Sequence, residues 1–160
     1  MLLRAAVSSD RGLLELLLVE AFNWPGQARV TLDQVRTDPA YAHHLRGWPR
    51  ARDVGVVAES EPGEPLGAAW ARVVPAAEAG YGFVAEDVPE LGVAVLAPFR
   101  GRGVGGSLVD ACIAALRDAG HAAVSLSVED GNDVARRLYE ARGFRGTGQA
   151  SRPDLLVLEL

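Results

Sequence analysis

Four glycines fall within six residues of this chain, Gly101, Gly103, Gly105 and Gly106, with Arg100 and Arg102 set among them. They follow a strand-like run that stops at Pro98, and a helical pattern starts behind them at Val104. A turn with so few side chains lets backbone N–H groups approach a ligand, and a helix N-terminus adds partial positive charge. Phosphate is the guest this chemistry suits, since guanidinium forks match its oxygens. Read as G-x-G-x-x-G (Gly101, Gly103, Gly106), the turn matches a dinucleotide fingerprint, with Glu129 about where an acidic ribose partner is sought. Read as a P-loop it fails, because Ser107 follows Gly106 directly and the phosphate-reaching lysine is missing. A glycine connection that only packs a helix closely on a sheet is the bland alternative.

Other reactive types are sparse. Cys112 stands alone, which excludes an internal disulfide and a cysteine-rich metal site. It lies on the apolar stripe of the helix after the turn and reads as core. His43 and His44 have no ligand cluster around them in the sequence, so no metal site is expected. Adjacent on a helix they would point apart, which reads as surface. Glu90 opens the strand before the turn and alternates with Gly92 and Ala94. It faces an acceptor channel, directly or through water, or ends the strand in solvent.

The elements that must position these residues are legible as α/β. Residues 2–7 suit a first strand, and Ser8, Ser9 and Asp10 offer a cap for the leucine-rich helix that ends before Trp24. A second helical stretch covers residues 32–36, and a further turn or helix covers residues 40–47. Strands follow at residues 53–59 and 66–74, joined by a loop or hairpin at residues 61–65. The strand at residues 91–97 leads into the glycine turn. Val104, Leu108, Cys112, Ala115 and Ala119 then give a helical stripe closed by Gly120. A strand at residues 122–128, a helix capped by Asn132 or Asp133 and ended by Gly143, and strands at residues 144–149 and 155–160 complete the order. The expectation is one domain over residues 1–160, with a mixed sheet of six to seven strands, about four helices and the order β-α-α-β-β-β-α-β-α-β-β.

Composition bounds the partners. The 160 residues suffice for a sizeable core, and 49% of them are apolar, so disorder is not expected. A net charge of −5 argues against a nucleic-acid partner, which needs a basic face, and is compatible with an amine substrate. All sixteen basic residues are arginine, which reads as codon bias. No apolar run reaches the ~20 residues of a membrane span, and the N-terminus lacks a signal-peptide layout. A cytoplasmic protein is the expectation, with a homodimer left open.

A third parse of the turn draws in the rest of the chain. V-x-x-P-x-R-G-x-G-x-G-G, from Val95 to Gly106, resembles the pyrophosphate-binding motif of the GNAT-type, acetyl-CoA-dependent N-acetyltransferases. Downstream, N-D-V-A-R-R-L-Y-E-A-R-G-F, from Asn132 to Phe144, is similar to a second segment of that superfamily. The two motifs stand in the right order with a strand between, whereas a dinucleotide domain usually carries its turn after the first strand. The resemblance covers roughly residues 90–144.

It implies acetyl transfer from acetyl-CoA to a primary amine, a small molecule or a peptide, by direct attack in a ternary complex. A catalytically inactive acyl-CoA-binding sensor is the rival of a different class. Backbone groups of Val93, Ala94 and Val95 would then hold the pantetheine arm like an added strand, and one amide there would polarise the thioester carbonyl. Gly92 would supply a bulge that splays this strand from its neighbour. The turn from Arg100 through Gly101, Arg102, Gly103, Val104, Gly105, Gly106 and Ser107 would hold the pyrophosphate. Asn132 matches a position that contacts the cofactor arm and also suits a plain N-cap. Tyr139 would return a proton to the leaving thiolate, since thiol and phenol references of about 8.5 and 10 permit it; packing is its other reading. Glu90 is the candidate base. Relatives acting on protein N-termini often carry an acid where this chain has Ser127, which places that substrate class in doubt. Trp24, Tyr41 and Tyr81 fall where such proteins build acceptor pockets, and core or rim packing is the plainer reading of each.

Overall fold

A computed structural model describes residues 1–61 and 63–160. The predicted connection at residues 61–65 thus includes one position, Pro62, outside the described residues. The strands are β1 (Leu2–Ala5), β2 (Val54–Glu59), β3 (Pro65–Arg72), β4 (Glu90–Val95), β5 (Ala123–Ser127), β6 (Arg145–Gly146) and β7 (Leu155–Glu159). The helices are α1 (Arg11–Phe22), α2 (Leu32–Thr37), α3 (Pro39–Ala42), α4 (Val104–Asp118) and α5 (Asp133–Glu140). One seven-stranded sheet runs β1-β2-β3-β4-β5-β7-β6, antiparallel throughout except for the parallel pair β4 and β5. This is the mixed α/β sheet expected, with the short α3 added to the four helices; Pro39 at its first turn and the Asp38 cap start it. The strand expected over residues 144–149 shrinks to two residues, because Phe144 is drawn into the core and Gly148 takes φ +76°.

Alternation along β4 sorts its side chains to two faces. Leu91, Val93 and Val95 join the core under α4 and α5, around Leu108, Cys112, Leu116, Tyr139 and Phe144. Ala94 and Leu96 join a second core under α1–α3, with Leu14, Leu17, Trp48 and Trp70. Glu90 and Gly92 share the parity of Ala94 and belong to that second face. Gly92 makes no bulge: β3 and β4 stay in register through Trp70 opposite Gly92. The glycine is needed for space, since a Cβ there would meet the Trp70 ring at 2.6 Å.

Arg72, at the end of β3, ties α3 and the turn after it to the sheet. Its Nε donates to Asp53 at 2.9 Å, and its Nη groups donate to the carbonyls of His44 at 3.0 Å and Arg46 at 2.9 Å. Both members of this ion pair are buried. Removing one leaves the other charge without a partner in a low-dielectric setting. Arg72→Ala is therefore expected to cost about 3–5 kcal/mol, read from urea denaturation midpoints.

Candidate active site

The parallel neighbours β4 and β5 register at one pair only, Glu90 with Ser125. At that end the Ser125 amide donates to the carbonyl of Pro89 at 3.0 Å. On the other side of β4 the Leu96 amide donates to Leu66 of β3 at 2.9 Å. Alternation then turns the N–H and C=O of Val93 and Val95 toward the gap where β5 has moved away. Arg100 fills part of that need: its Nε donates to the Val95 carbonyl at 2.9 Å.

The gap opens into a cleft of about 1320 Å³ that reaches both faces of the sheet. A pocket for one small molecule usually occupies about 300–1,000 Å³, so this cleft has room for two reactants. Val93, Ala94, Val95, Arg100, Gly101, Gly103, Val104, Gly105, Gly106, Asn132, Glu90 and Tyr139 all line it. Arg102 and Ser107 do not. The Arg102 guanidinium lies 5.9 Å from the Phe99 ring centroid, and the Ser107 hydroxyl turns back to the Gly103 carbonyl at 3.4 Å.

The glycine turn is built for open amides. Gly101 and Gly103 take φ +73° and +81°, conformations that side-chain-bearing residues rarely adopt. Gly103 occupies the α4 N-cap without a side-chain cap. Among the described residues, no amide from Gly101 to Gly106 donates to a backbone carbonyl. Such a terminus is an anion site in waiting. Gly106 has a different reason, because a Cβ there would meet the Arg142 guanidinium at 2.6 Å. Arg100 also pairs with Glu20 of α1 at 2.7 Å, while Arg137 of α5, which the sequence reading passed over, lines the cleft with no ion pair among the described residues.

Glu90 sits on the α1–α3 side of the gap. Its carboxylate accepts from the amides of Gly82 at 2.8 Å and Gly80 at 3.2 Å. Burial pushes its pKa up, and those two amides hold back part of the rise. Tyr139 is buried on the opposite face, edge-on to Phe144 with 5.6 Å between centroids. Burial pushes its phenol up to about 12, so it keeps its proton at neutral pH. Asn132 caps α5 by accepting from the Ala135 amide at 3.2 Å. Cys112 is buried, its thiol pushed up to about 12 by desolvation, which makes it a core residue.

Three placements depart from the sequence reading. His43 and His44 are not surface residues on diverging vectors: α3 stops at Ala42, and the two rings stack at 4.1 Å on the cleft wall. His43 Nδ1 donates to the Pro39 carbonyl at 3.0 Å, and the Nε2 atoms of both rings are buried without a protein partner. Glu129 is taken up by Trp24 Nε1 at 2.7 Å and Arg29 at 2.6 Å, which tie the segment after α1 to the loop after β5. Ser127 donates to Asp154 at 2.8 Å, so a carboxylate stands beside this position after all, brought from the approach to β7. No pattern near Asp154 marked it. Trp24, Tyr41 and Tyr81 do line the cleft. Among the described residues no acid–histidine–cysteine group has metal-binding geometry, and no helix is long and apolar enough to cross a membrane.

A mixed α/β sheet opened between two parallel strands, beside an uncapped glycine helix start, is a setting that suits an extended anionic ligand. The chain belongs to the acetyltransferase (GNAT) family, whose sequence profile matches residues 17–144, and is an acyltransferase. Solved structures share the fold over nearly the whole length. A ribosomal-protein-alanine N-acetyltransferase from Brucella melitensis matches with TM-score 0.70 and 23% identity, covering 100% of both chains. A GNAT-family acetyltransferase from Staphylococcus aureus matches with TM-score 0.71 and 14% identity, covering 99% of this chain and 98% of that one. A putative acetyltransferase from Salmonella typhimurium, solved with its cofactor acetyl-CoA, matches with TM-score 0.65 and 22% identity, covering 100% of this chain and 94% of that one. No curated protein sequence matches the chain.

The buried histidine leaves a thermodynamic signature. Burial, with smaller contributions from His43 and Arg72, lowers the His44 pKa to about 3. The unfolded chain takes up this proton near pH 6.5 and the folded one does not, so stability is full above about 6.5 and falls as the pH drops toward 3. Relative to wild type, His44→Phe is expected to lose up to about 1.4 kcal/mol per pH unit less across that window, measured by urea denaturation at several pH values.

Proposed function

We propose that residues 1–160 form a single N-acetyltransferase domain that moves acetyl from acetyl-CoA to a primary amine by direct attack in a ternary complex. The observation that carries this reading is the continuous path from the open amides at Gly101–Gly106, past the outward backbone of Val93 and Val95, to the half-buried Glu90 carboxylate. The residues present fit the group. The turn amides, Arg100 and Arg137 suit a diphosphate, and the strand edge suits the amides of a pantetheine arm. Bound acetyl-CoA supplies the activated acetyl carbon.

The chain's own residues supply the rest. Glu90 takes a proton from the acceptor ammonium, and its raised pKa makes it a better base than a free carboxylate. As the amine nitrogen bonds to the acetyl carbon, the carbon–sulfur bond breaks with its electron pair on sulfur. Tyr139 donates its phenolic proton to that sulfur and regains one from solvent, while the acylated nitrogen releases its surplus proton to solvent to leave the neutral amide; a phenol still protonated at neutral pH suits a donor. The amide of Val93 faces the gap and can donate to the carbonyl oxygen.

Calorimetric titration with acetyl-CoA tests the foundation. Saturable binding is expected, weakened about tenfold or more in Arg100→Ala; no binding at millimolar concentration would overturn the assignment. With a turned-over amine, Tyr139→Phe is expected to lower kcat by about 10²-fold or more while acetyl-CoA binding is kept. In wild type the rate should fall as the pH drops through the raised Glu90 pKa, since the protonated acid accepts nothing. Glu90→Gln should abolish that acid limb along with most of the rate.

A further inference from the structure

The acceptor end of the cleft carries an unusual charge arrangement. Three carboxylates line it on or near the α1–α3 face: Glu78, Glu90 and Asp154. Glu78 is paired with Arg50 at 2.8 Å and Asp154 with Arg152 at 3.1 Å. Glu90 alone of the three has no ion-pair partner among the described residues; it accepts hydrogen bonds from two backbone amides, with His43 and Arg152 near enough to favour its charged form. Three guanidiniums beside this end are committed. Arg72 is taken by Asp53 and main-chain carbonyls, Arg29 by Glu129, and Arg152 by Asp154 and the Tyr81 carbonyl.

Between these charges the wall is aromatic. Phe22 meets Tyr41 edge-on at 5.1 Å and His44 at 5.6 Å, and His44 stacks on His43. Trp70 lies over Gly92, beside Glu90 on the same face of β4. Tyr81 stands at the rim, 62% exposed. The low pKa of His44 keeps its ring uncharged at neutral pH.

We propose that the acceptor is an arylalkylamine without an acid group, its ammonium on Glu90 and its ring among Phe22, Tyr41, Trp70 and the stacked histidines. This rests on the acetyltransferase reading of the same cleft and narrows its substrate. A buried ammonium finds its counter-ion in Glu90, whose oxygens each have a lone pair beyond the amide bonds they accept. An aromatic body finds edges and faces at stacking distance. A substrate carboxylate or phosphonate finds Arg29, Arg72 and Arg152 already paired and meets repulsion from Glu90, Glu78 and Asp154. An amino acid and its decarboxylated amine therefore part company here.

Binding to the 160-residue protein saturated with CoA, followed by calorimetry, separates the outcomes without needing turnover. Phenethylamine should bind at least about tenfold more tightly than phenylalanine, and more tightly than spermidine. Tyr81→Arg, a change at an exposed rim position, should narrow the gap between phenethylamine and phenylalanine by supplying a free guanidinium. Equal or tighter binding of phenylalanine overturns the exclusion of acids, and tighter binding of spermidine overturns the aromatic assignment. If CoA binds and none of the three amines does, this proposal falls while the acetyl-CoA reading stands; if CoA itself does not bind, both fall.

Discussion

Two parallel strands that share a single registered pair create the space on which the rest of this structure depends. Beyond Glu90 and Ser125 the backbones of β4 and β5 part, and the polar groups of Val93 and Val95 lose the neighbour a sheet would supply. Buried backbone groups without partners are costly, so such an edge persists where water or a ligand can meet it. Here the edge runs from the open end of α4 at one side to Glu90 at the other. The same separation joins the α4 face and the α1–α3 face in one cleft. Tyr139 and Glu90 lie on opposite faces of the sheet and still line one cleft.

Charge placement then divides the cleft into two ends. The α4 end offers unbonded amides, a helix start and the guanidiniums of Arg100 and Arg137, a setting for anions. At the α3 end the guanidiniums of Arg29, Arg72 and Arg152 are held by carboxylates or by main-chain carbonyls, and Glu90 has no ion-pair partner among the described residues. Arg72 illustrates the economy of this design. Its buried side chain neutralises Asp53 and satisfies the carbonyls of the turn that carries His43 and His44, so it positions the acceptor wall without offering it a charge.

The glycines show how far pattern reading goes. The turn at Gly101 and Gly103 was legible because positive φ and missing side chains are local properties, set by a few consecutive residues. Gly92 and Gly106 have non-local neighbours, a Trp70 ring from the adjacent strand and an Arg142 guanidinium from the turn after α5, which no spacing along the chain encodes. The histidine pair failed in the same way. Two consecutive residues diverge on a continuing helix, but α3 stops after four residues, and the turn that follows stacks their rings.

What the amino-acid sequence by itself determined is the mixed α/β class, the strand–turn–helix that presents open amides, a later helix capped at Asn132 or Asp133, and the family. These follow from hydrophobic periodicity, proline and glycine punctuation and two motifs, all of them interactions between near neighbours in the chain. Only the tertiary structure decided which carboxylates stand alone, that Asp154 joins Ser127, that Glu129 is spent on Trp24 and Arg29, and that Arg102 and Ser107 turn away from the cleft. Ion pairing and burial join residues tens of positions apart, and their energies depend on distance and desolvation in the folded chain, quantities a linear pattern does not carry.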